Sequence, residues 1–336
     1  MRHEPLAGFP APLGAPPTFE QPPPERESSA PPEPEKSRTW LHLALFVLTA
    51  ISMQVTAMSA GPIKGHSVLA TGAYQALSLL GILLVHEAGH YVASRLHRVP
   101  ASLPFFVPLP YLGFGTLGAV ITMRDRIRSR KALLDIGAAG PIAGMLVALP
   151  VLYIGLRMSE VTPLGKDGYI QEGQSILYWV MKRVAVGPIP EGWDVQLHPM
   201  AFAGWGGLFL TMLNLLPWGQ LDGGHIAFAL FGKEQHRFAR WFRSGLLVAF
   251  AYNVVFYLVP ALLHRSRQTW VEAAGTCMFW LIWYGITGAM KRVAGEDHPP
   301  FEPAPLGLPR QLVAIGCLIL FVLLFLPTPM AIFPPE

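Results

Sequence analysis

Apolar and polar segments alternate along this chain on the scale of a lipid bilayer. The apolar runs are Trp40–Met58, Gly72 to Leu96, Ala132 to Arg157, Met200–Leu216, Ser244–Leu263, Thr269–Met290 and Gln311–Leu326, the last continuing towards Ile332. A helix needs roughly 20 apolar residues to cross the hydrocarbon layer. The pattern therefore predicts about seven transmembrane helices. The longest polar break, 158–199, contains one apolar aromatic stretch, Ser175–Val186, which is too short to cross and suits the membrane interface.

Two segments break the helical pattern. Residues 1–38 hold eleven prolines among Glu and Ser, with few large apolar groups. Such a segment cannot bury enough surface to fold and reads as a disordered Pro-rich tail. Pro100–Met123 is strongly apolar, yet it carries Pro100, Pro104, Pro108 and Pro110, then Gly113, Gly115 and Gly118. Non-helical backbone at membrane depth must be shielded by protein or line a wet cavity. The stretch predicts a re-entrant, partly β hairpin; a loop lying on the membrane surface is the other reading.

Composition agrees with a polytopic membrane protein. The chain is 52% hydrophobic and 14% charged, against about a quarter charged in soluble domains. Its net charge of +4 does not indicate nucleic acid, because the basic residues flank apolar runs. With the N-terminus inside and every run crossing, 18 of the 25 Lys and Arg fall on the cytoplasmic side, the asymmetry that orients membrane proteins. The basic run Arg124–Lys131 then reads as a cytoplasmic loop. The expected localisation is the cell membrane, multi-pass, with the lipid bilayer as a standing partner. Cys277 and Cys317 lie inside apolar runs and read as small helix residues rather than a disulfide.

The candidate chemistry sits in the second run. LLVHEAGHY at 83–91 places His86, Glu87 and His90 in otherwise apolar sequence. Residues four apart share a helix face, so His86 and His90 can hold one metal ion, with the Glu87 carboxylate beside it as a general base towards water. Ionisable groups this deep in an apolar run are costly and usually functional. The stretch Asn214–His225, NLLPWGQLDGGH, ends the fourth run with Pro217, Gly219, Gly223 and Gly224. Asp222 in it is either a third, oxygen ligand presented by a broken helix or a turn aspartate ahead of a helix start. A thermolysin-like third ligand is excluded, because no Glu lies between Glu87 and Glu160; a metzincin needs glycine and histidine where Ala93 and Leu96 stand. The small residues of GAAGPIAG at 137–144 predict close helix contact. Asp135, near the start of its run, suits a helix N-terminus.

With HEAGH at 86–90, GAAGP at 137–141 and N-L-L-P-x-x-x-L-D-G at 214–223, residues 72–232 resemble the site-2 protease family of intramembrane zinc metalloproteases, most closely its plastid and cyanobacterial branch. The resemblance implies one zinc ion held by His86, His90 and Asp222, Glu87 as catalytic base, and Asn214 helping to hold the substrate backbone or the transition state. It also implies that the hairpin offers an edge strand to an unwound helix of a membrane-anchored protein substrate. Gln220 and His225 depart from the branch, which often has proline and arginine there, and His225 is left out of the ligand set. The expected organisation is a tail at 1–38, a first transmembrane helix and loop at 39–71, a metalloprotease core at 72–232 and C-terminal transmembrane helices at 233–336, the last three serving mainly as packing. The rival readings are a membrane metal transporter, against which the lack of any internal repeat counts, and a catalytically idle protein that binds clients.

Overall fold

The computed structural model describes residues 39–111, 113–121, 127, 129–164, 168–294 and 305–334; the expected tail at 1–38 and half of the basic run at 124–131 lie outside them. Among the described residues the fold is mostly helical. The helices are α1 Thr39–Met58, α2 Val68–Leu96, α3 Arg130–Arg157, α4 Ile176–Val186, α5 Pro199–Asn214, α6 Asp222–Phe231, α7 Gln235–Asn253, α8 Val259–Leu262, α9 Trp270–Ala294 and α10 Leu308–Leu324. A π-helical turn at Val254–Leu258 joins α7 to α8. Five helical segments are long and apolar enough to cross a membrane: α1, α2, α3, the run Arg237–Leu262 and α9. α5 and α10 are shorter, at 16 and 17 residues.

Local chemistry sets the helix ends. Ser67 caps α2 by accepting from the Ala70 amide, Ser129 caps α3 through Ala132, and Ser175 caps α4 through Tyr178. Each supplies an acceptor to an otherwise orphaned N–H of a first turn. At the start of α5 the His198 ring accepts from the Met200 amide and Pro199 occupies the first turn, where a missing N–H costs nothing.

α3 is the hub, packing on α2, α5, α6 and α10. Its approach to α2 depends on the expected small residues: a Cβ on Gly89 of α2 would meet the Ala139 carbonyl. At the crossing with α5, a Cβ on Gly204 would lie 2.7 Å from Leu152 Cβ. The core between these helices holds Leu79, Leu134, Leu152, Ala203, Trp205 and Met212, all essentially inaccessible.

The strands depart from the expectation of a single hairpin in an otherwise helical chain. Three two-stranded antiparallel sheets form: β1 Phe105–Pro108 with β2 Thr116–Val120, β3 Glu160–Pro163 with β5 Trp193–Gln196, and β4 Tyr169–Glu172 with β6 Met330–Phe333. The first lies within the Pro/Gly-rich apolar segment and is anchored on α1. Ser52 Oγ donates to the Gly115 carbonyl at 2.6 Å, the Tyr111 amide donates to Thr56 Oγ1 at 3.0 Å, and Gly115 (φ +81°) lets the two backbones touch. Its Phe114 packs with its ring tilted against Phe202, Trp205 and Phe209 of α5. The last apolar run does not continue as helix to Ile332: α10 ends at Leu324, and after Pro327 and Pro329 the chain returns as β6. Proline cannot donate to a helix ladder, so the run stops there.

Between α3 and α5 the strands enclose a polar core. Lys182 of α4, only 4% exposed, donates to Glu172 Oε1 at 2.7 Å and to Asp194 Oδ1 at 3.2 Å, and the Tyr178 hydroxyl donates to the same Glu172 oxygen at 2.7 Å. Burial, then the neighbouring Glu172 charge, pushes the Tyr178 hydroxyl well above its ordinary range, so it stays protonated and donating; the stability it adds is present below about pH 10 and lost as the pH rises through the raised value. Breaking a buried ion pair strands its partner, at about 3–5 kcal/mol. Glu172→Ala is therefore expected to lower folding stability by about 3 kcal/mol, read as a drop in the thermal midpoint of the detergent-purified protein, whereas Glu191→Ala, at an exposed loop position, leaves the midpoint unchanged.

Candidate metal centre

His86, Glu87 and His90 lie on the buried face of α2, 4%, 5% and 9% exposed. Asp222 arrives from a chain segment 132 residues away from His90, as the first residue of α6, where a carboxylate gains from the helix dipole. The turn before it and the glycines after it place it there. A Cβ on Gly223 would strike the Leu215 carbonyl, and one on Gly224 would meet the Trp218 carbonyl at 2.7 Å. The first turn of α6 thus nests directly on the backbone of the preceding turn. At its other end α6 is held by Arg130 of α3, whose guanidinium donates to the carbonyls of Ala229 and Leu230.

Three ligand-capable atoms converge. His90 Nε2 lies 3.1 Å from His86 Nε2 and 3.2 Å from Asp222 Oδ2, and His86 Nε2 lies 3.3 Å from the same oxygen. Among the described residues this is the one group of three or more His, Cys, Asp or Glu gathered as metal ligands would be. His90 Nδ1 lies 2.8 Å from the Ile136 carbonyl oxygen. A carbonyl only accepts, so Nδ1 carries the proton and, in the neutral ring, Nε2 presents a lone pair. A lone pair facing a carboxylate oxygen and a second imidazole nitrogen calls for a cation between them. A tetrahedral zinc with bonds of about 2.0–2.1 Å separates its ligands by about 3.3 Å, and the observed spacing fits that face. Two imidazoles and one carboxylate also leave a fourth position open, as catalytic zinc sites do.

The neighbouring groups are placed for chemistry. Glu87 projects from the same turn as His86, near enough to His90 and Asp222 for their charges to act on it. The Asn214 side-chain amide, at the end of α5, lies 3.2 Å from His86 Nε2. All five residues singled out from the sequence are thus brought to one place.

The small residues of α3 make room for the rings. A Cβ on Gly140 would overlap the His90 imidazole, and one on Gly144 would lie 3.1 Å from His86 Nδ1. His225 lies on α6 with its Cβ close to Gly137. Asp135 has more specific partners than a helix dipole: Arg310 of α10 donates to both its oxygens at 2.8–3.1 Å, and His97, which ends α2, lies 2.8 Å from Oδ2. This trio ties the end of the histidine-bearing helix to α3 and α10. Its members are far apart in sequence, and no local pattern announces the link. Both cysteines are free and buried, Cys277 in α9 and Cys317 in α10.

The fold and site define a class: a mostly helical protein with several helices fit to span a membrane and a buried two-histidine, one-carboxylate centre carrying H-E-x-x-H. Comparison by sequence agrees. The model of Peptidase family M50 matches residues 74–258, more than half of the chain, and the chain belongs to that family. It is 30% identical over 204 residues to "Probable zinc metalloprotease EGY2, chloroplastic" of Oryza sativa subsp. indica, covering 60% of this chain and 37% of that protein. It is 34% identical over 165 residues to "Probable zinc metalloprotease EGY1, chloroplastic" of Arabidopsis thaliana, covering 47% and 30%. The chain therefore spans about a third of the length of these curated relatives. The resemblance to site-2 proteases drawn from the motifs is borne out.

Gly140→Ala drives a methyl group into the His90 ring and is expected to cost at least tenfold in zinc retention, as changes around ligands typically do. Gly81→Ala, on the same helix as the histidines but meeting nothing within 4 Å, should keep its zinc. Metal content per protein after dialysis against a graded chelator reads both.

Proposed function

We propose that this chain is an intramembrane zinc metalloendopeptidase that hydrolyses peptide bonds in or near transmembrane segments of membrane-anchored proteins. The observation that carries the reading is the convergence of His86, His90 and Asp222 within 3.1–3.3 Å of one another beside Glu87, in the interior of a helical bundle. In this reading the three residues hold one zinc ion, Glu87 is the catalytic base and Asn214 binds substrate. Zinc held there supplies Lewis acidity, polarising a peptide carbonyl and acidifying water. Glu87 accepts a proton from the attacking water and delivers it to the departing amine, so one carboxylate serves as base and then acid. The Asn214 amide, 3.2 Å from His86 Nε2, can donate to the substrate carbonyl as charge develops on its oxygen.

The β1–β2 sheet belongs to this scheme as a re-entrant hairpin. A peptide bond inside an intact helix is sterically shielded, so substrate must unwind, and pairing with a strand edge restores the backbone hydrogen bonds it loses. Seven spans follow when the shorter α5 and α10 cross together with the five longer segments. Tilt of the longer helices and local thinning of the bilayer accommodate such differences in length. The chain then divides into a cytoplasmic Pro-rich tail at 1–38, a first transmembrane helix and loop at 39–71, the protease core at 72–232 and C-terminal transmembrane helices at 233–336. The basic residues at the ends of the spans support an N-terminus and a metal centre facing the cytoplasm of a cell membrane.

Removing a general base costs about 10²–10⁴ in rate. Glu87→Gln is therefore expected to retain zinc while cleavage of a membrane-embedded substrate in proteoliposomes falls by at least about 10². Cleavage at the wild-type rate, or metal transport by the wild-type protein without proteolysis, would sink the assignment.

A further inference from the structure

The helices after the motif-bearing core grip the turn that delivers Asp222. Leu215–Leu221 joins Asn214 to Asp222, and its Leu215, Leu216 and Trp218 are buried. One side of this turn nests on α6 through Gly223 and Gly224, as above. The opposite side is held by α7 and α9. Trp218 Nε1 donates to the Thr287 carbonyl of α9 at 3.1 Å, and Gln235 Nε2 at the start of α7 reaches the Pro217 carbonyl at 3.4 Å.

Arg243 of α7 completes the grip. Its guanidinium lies 4.1 Å from the centre of the Tyr284 ring of α9 and 5.9 Å from that of Trp218. A cation over an aromatic face is attracted by the ring quadrupole, more strongly where water is excluded. The guanidinium passes so close to α9 that a Cβ on Gly288 would lie 2.9 Å from Nη2. A planar, delocalised guanidinium stacks in such a slot where an ammonium does not.

We infer that Arg243 is a positioning residue of the metal centre. Stacked on Trp218 and Tyr284, it fixes the Pro217–Leu221 turn and, through that turn, the Asp222 carboxylate and the Asn214 amide. The C-terminal helices α7 and α9 thereby set the metal affinity of a site to which they contribute no ligand. This goes beyond a packing role for these helices and rests on the reading of Asp222 as a zinc ligand. Its logic is that of groups surrounding a metal site, which touch the ligands rather than the ion and hold them in place.

The test uses the full chain in detergent with Arg243→Gln, Arg243→Lys, Trp218→Phe and, as a check on the underlying reading, Asp222→Ala. Zinc retention against a graded chelator is expected to fall about tenfold or more in Arg243→Gln and less in Arg243→Lys, which keeps the positive charge but not the planar stack. Trp218→Phe, which loses the N–H to Thr287 and part of the aromatic face near Arg243, should sit between Arg243→Gln and wild type. With saturating zinc, kcat should drop in Arg243→Gln while KM for a model transmembrane substrate stays near wild type. Cobalt(II) substituted for zinc reports ligand geometry in its visible absorption, and the Arg243→Gln bands should shift or weaken relative to wild type. Should Arg243→Gln fail to accumulate, Arg243→Lys and Trp218→Phe carry the same readouts. Wild-type zinc retention and an unchanged cobalt spectrum in the Arg243 and Trp218 variants would overturn the inference while leaving Asp222 a ligand. Full zinc retention in Asp222→Ala would instead overturn the reading beneath it.

Discussion

Three electron-rich atoms are held within hydrogen-bonding distance of one another inside an apolar helical bundle, and much of the structure serves that constraint. Neutral imidazole nitrogens and a carboxylate oxygen repel when they meet without a proton or a cation among them, and burial removes the water that would otherwise screen them. The arrangement persists because His90 and Asp222 are held from behind. His90 is turned by its N–H to the Ile136 carbonyl. Asp222 is set by the nesting of α6 on the Leu215–Leu221 turn, and α6 is fixed at its far end by Arg130.

α3 is the organising element because it serves both halves of the site. Its glycines leave space for the imidazoles of α2, its Ile136 carbonyl fixes one ring, and its first residue anchors the helix that begins with the third ligand-capable group. Asp135, one turn in, links the end of α2 to α10 through His97 and Arg310. These contacts join segments that sequence separates by 38 to 175 residues. They explain why a chemically demanding cluster can sit on helices that, by composition, do little more than face lipid.

Several of these features were readable in the chain before any coordinates. The four-residue spacing of His86 and His90 on an apolar helix, the small-residue face at 137–144 and the proline-rich hairpin all follow from local periodicity and backbone chemistry. Residue type alone leaves Asp222 open, since a helix-start aspartate and a metal ligand share the same local signature; the fold adds that this helix-start aspartate lies against His86 and His90. The β3–β5 and β4–β6 pairings are not legible in the sequence. Their strands are four residues long, and the second joins Glu172 to Met330, so neither leaves a local trace. The buried Lys182 was equally hidden, because a lysine on a short amphipathic helix reads as solvated until Glu172 and Asp194 close over it. Arg243, in sequence one of several basic residues flanking a span, acquires its meaning only from the rings that α9 and the Asp222 turn place against it.

The central claim is that His86, His90 and Asp222 share a single zinc ion. X-ray absorption at the zinc edge of the purified full-length protein tests it most directly. The account predicts about one zinc per chain, with a shell of nitrogen and oxygen at about 2.0–2.1 Å and the outer-shell signature of two imidazoles. Sulfur at about 2.3 Å, or the signature of fewer than two imidazoles, would contradict it.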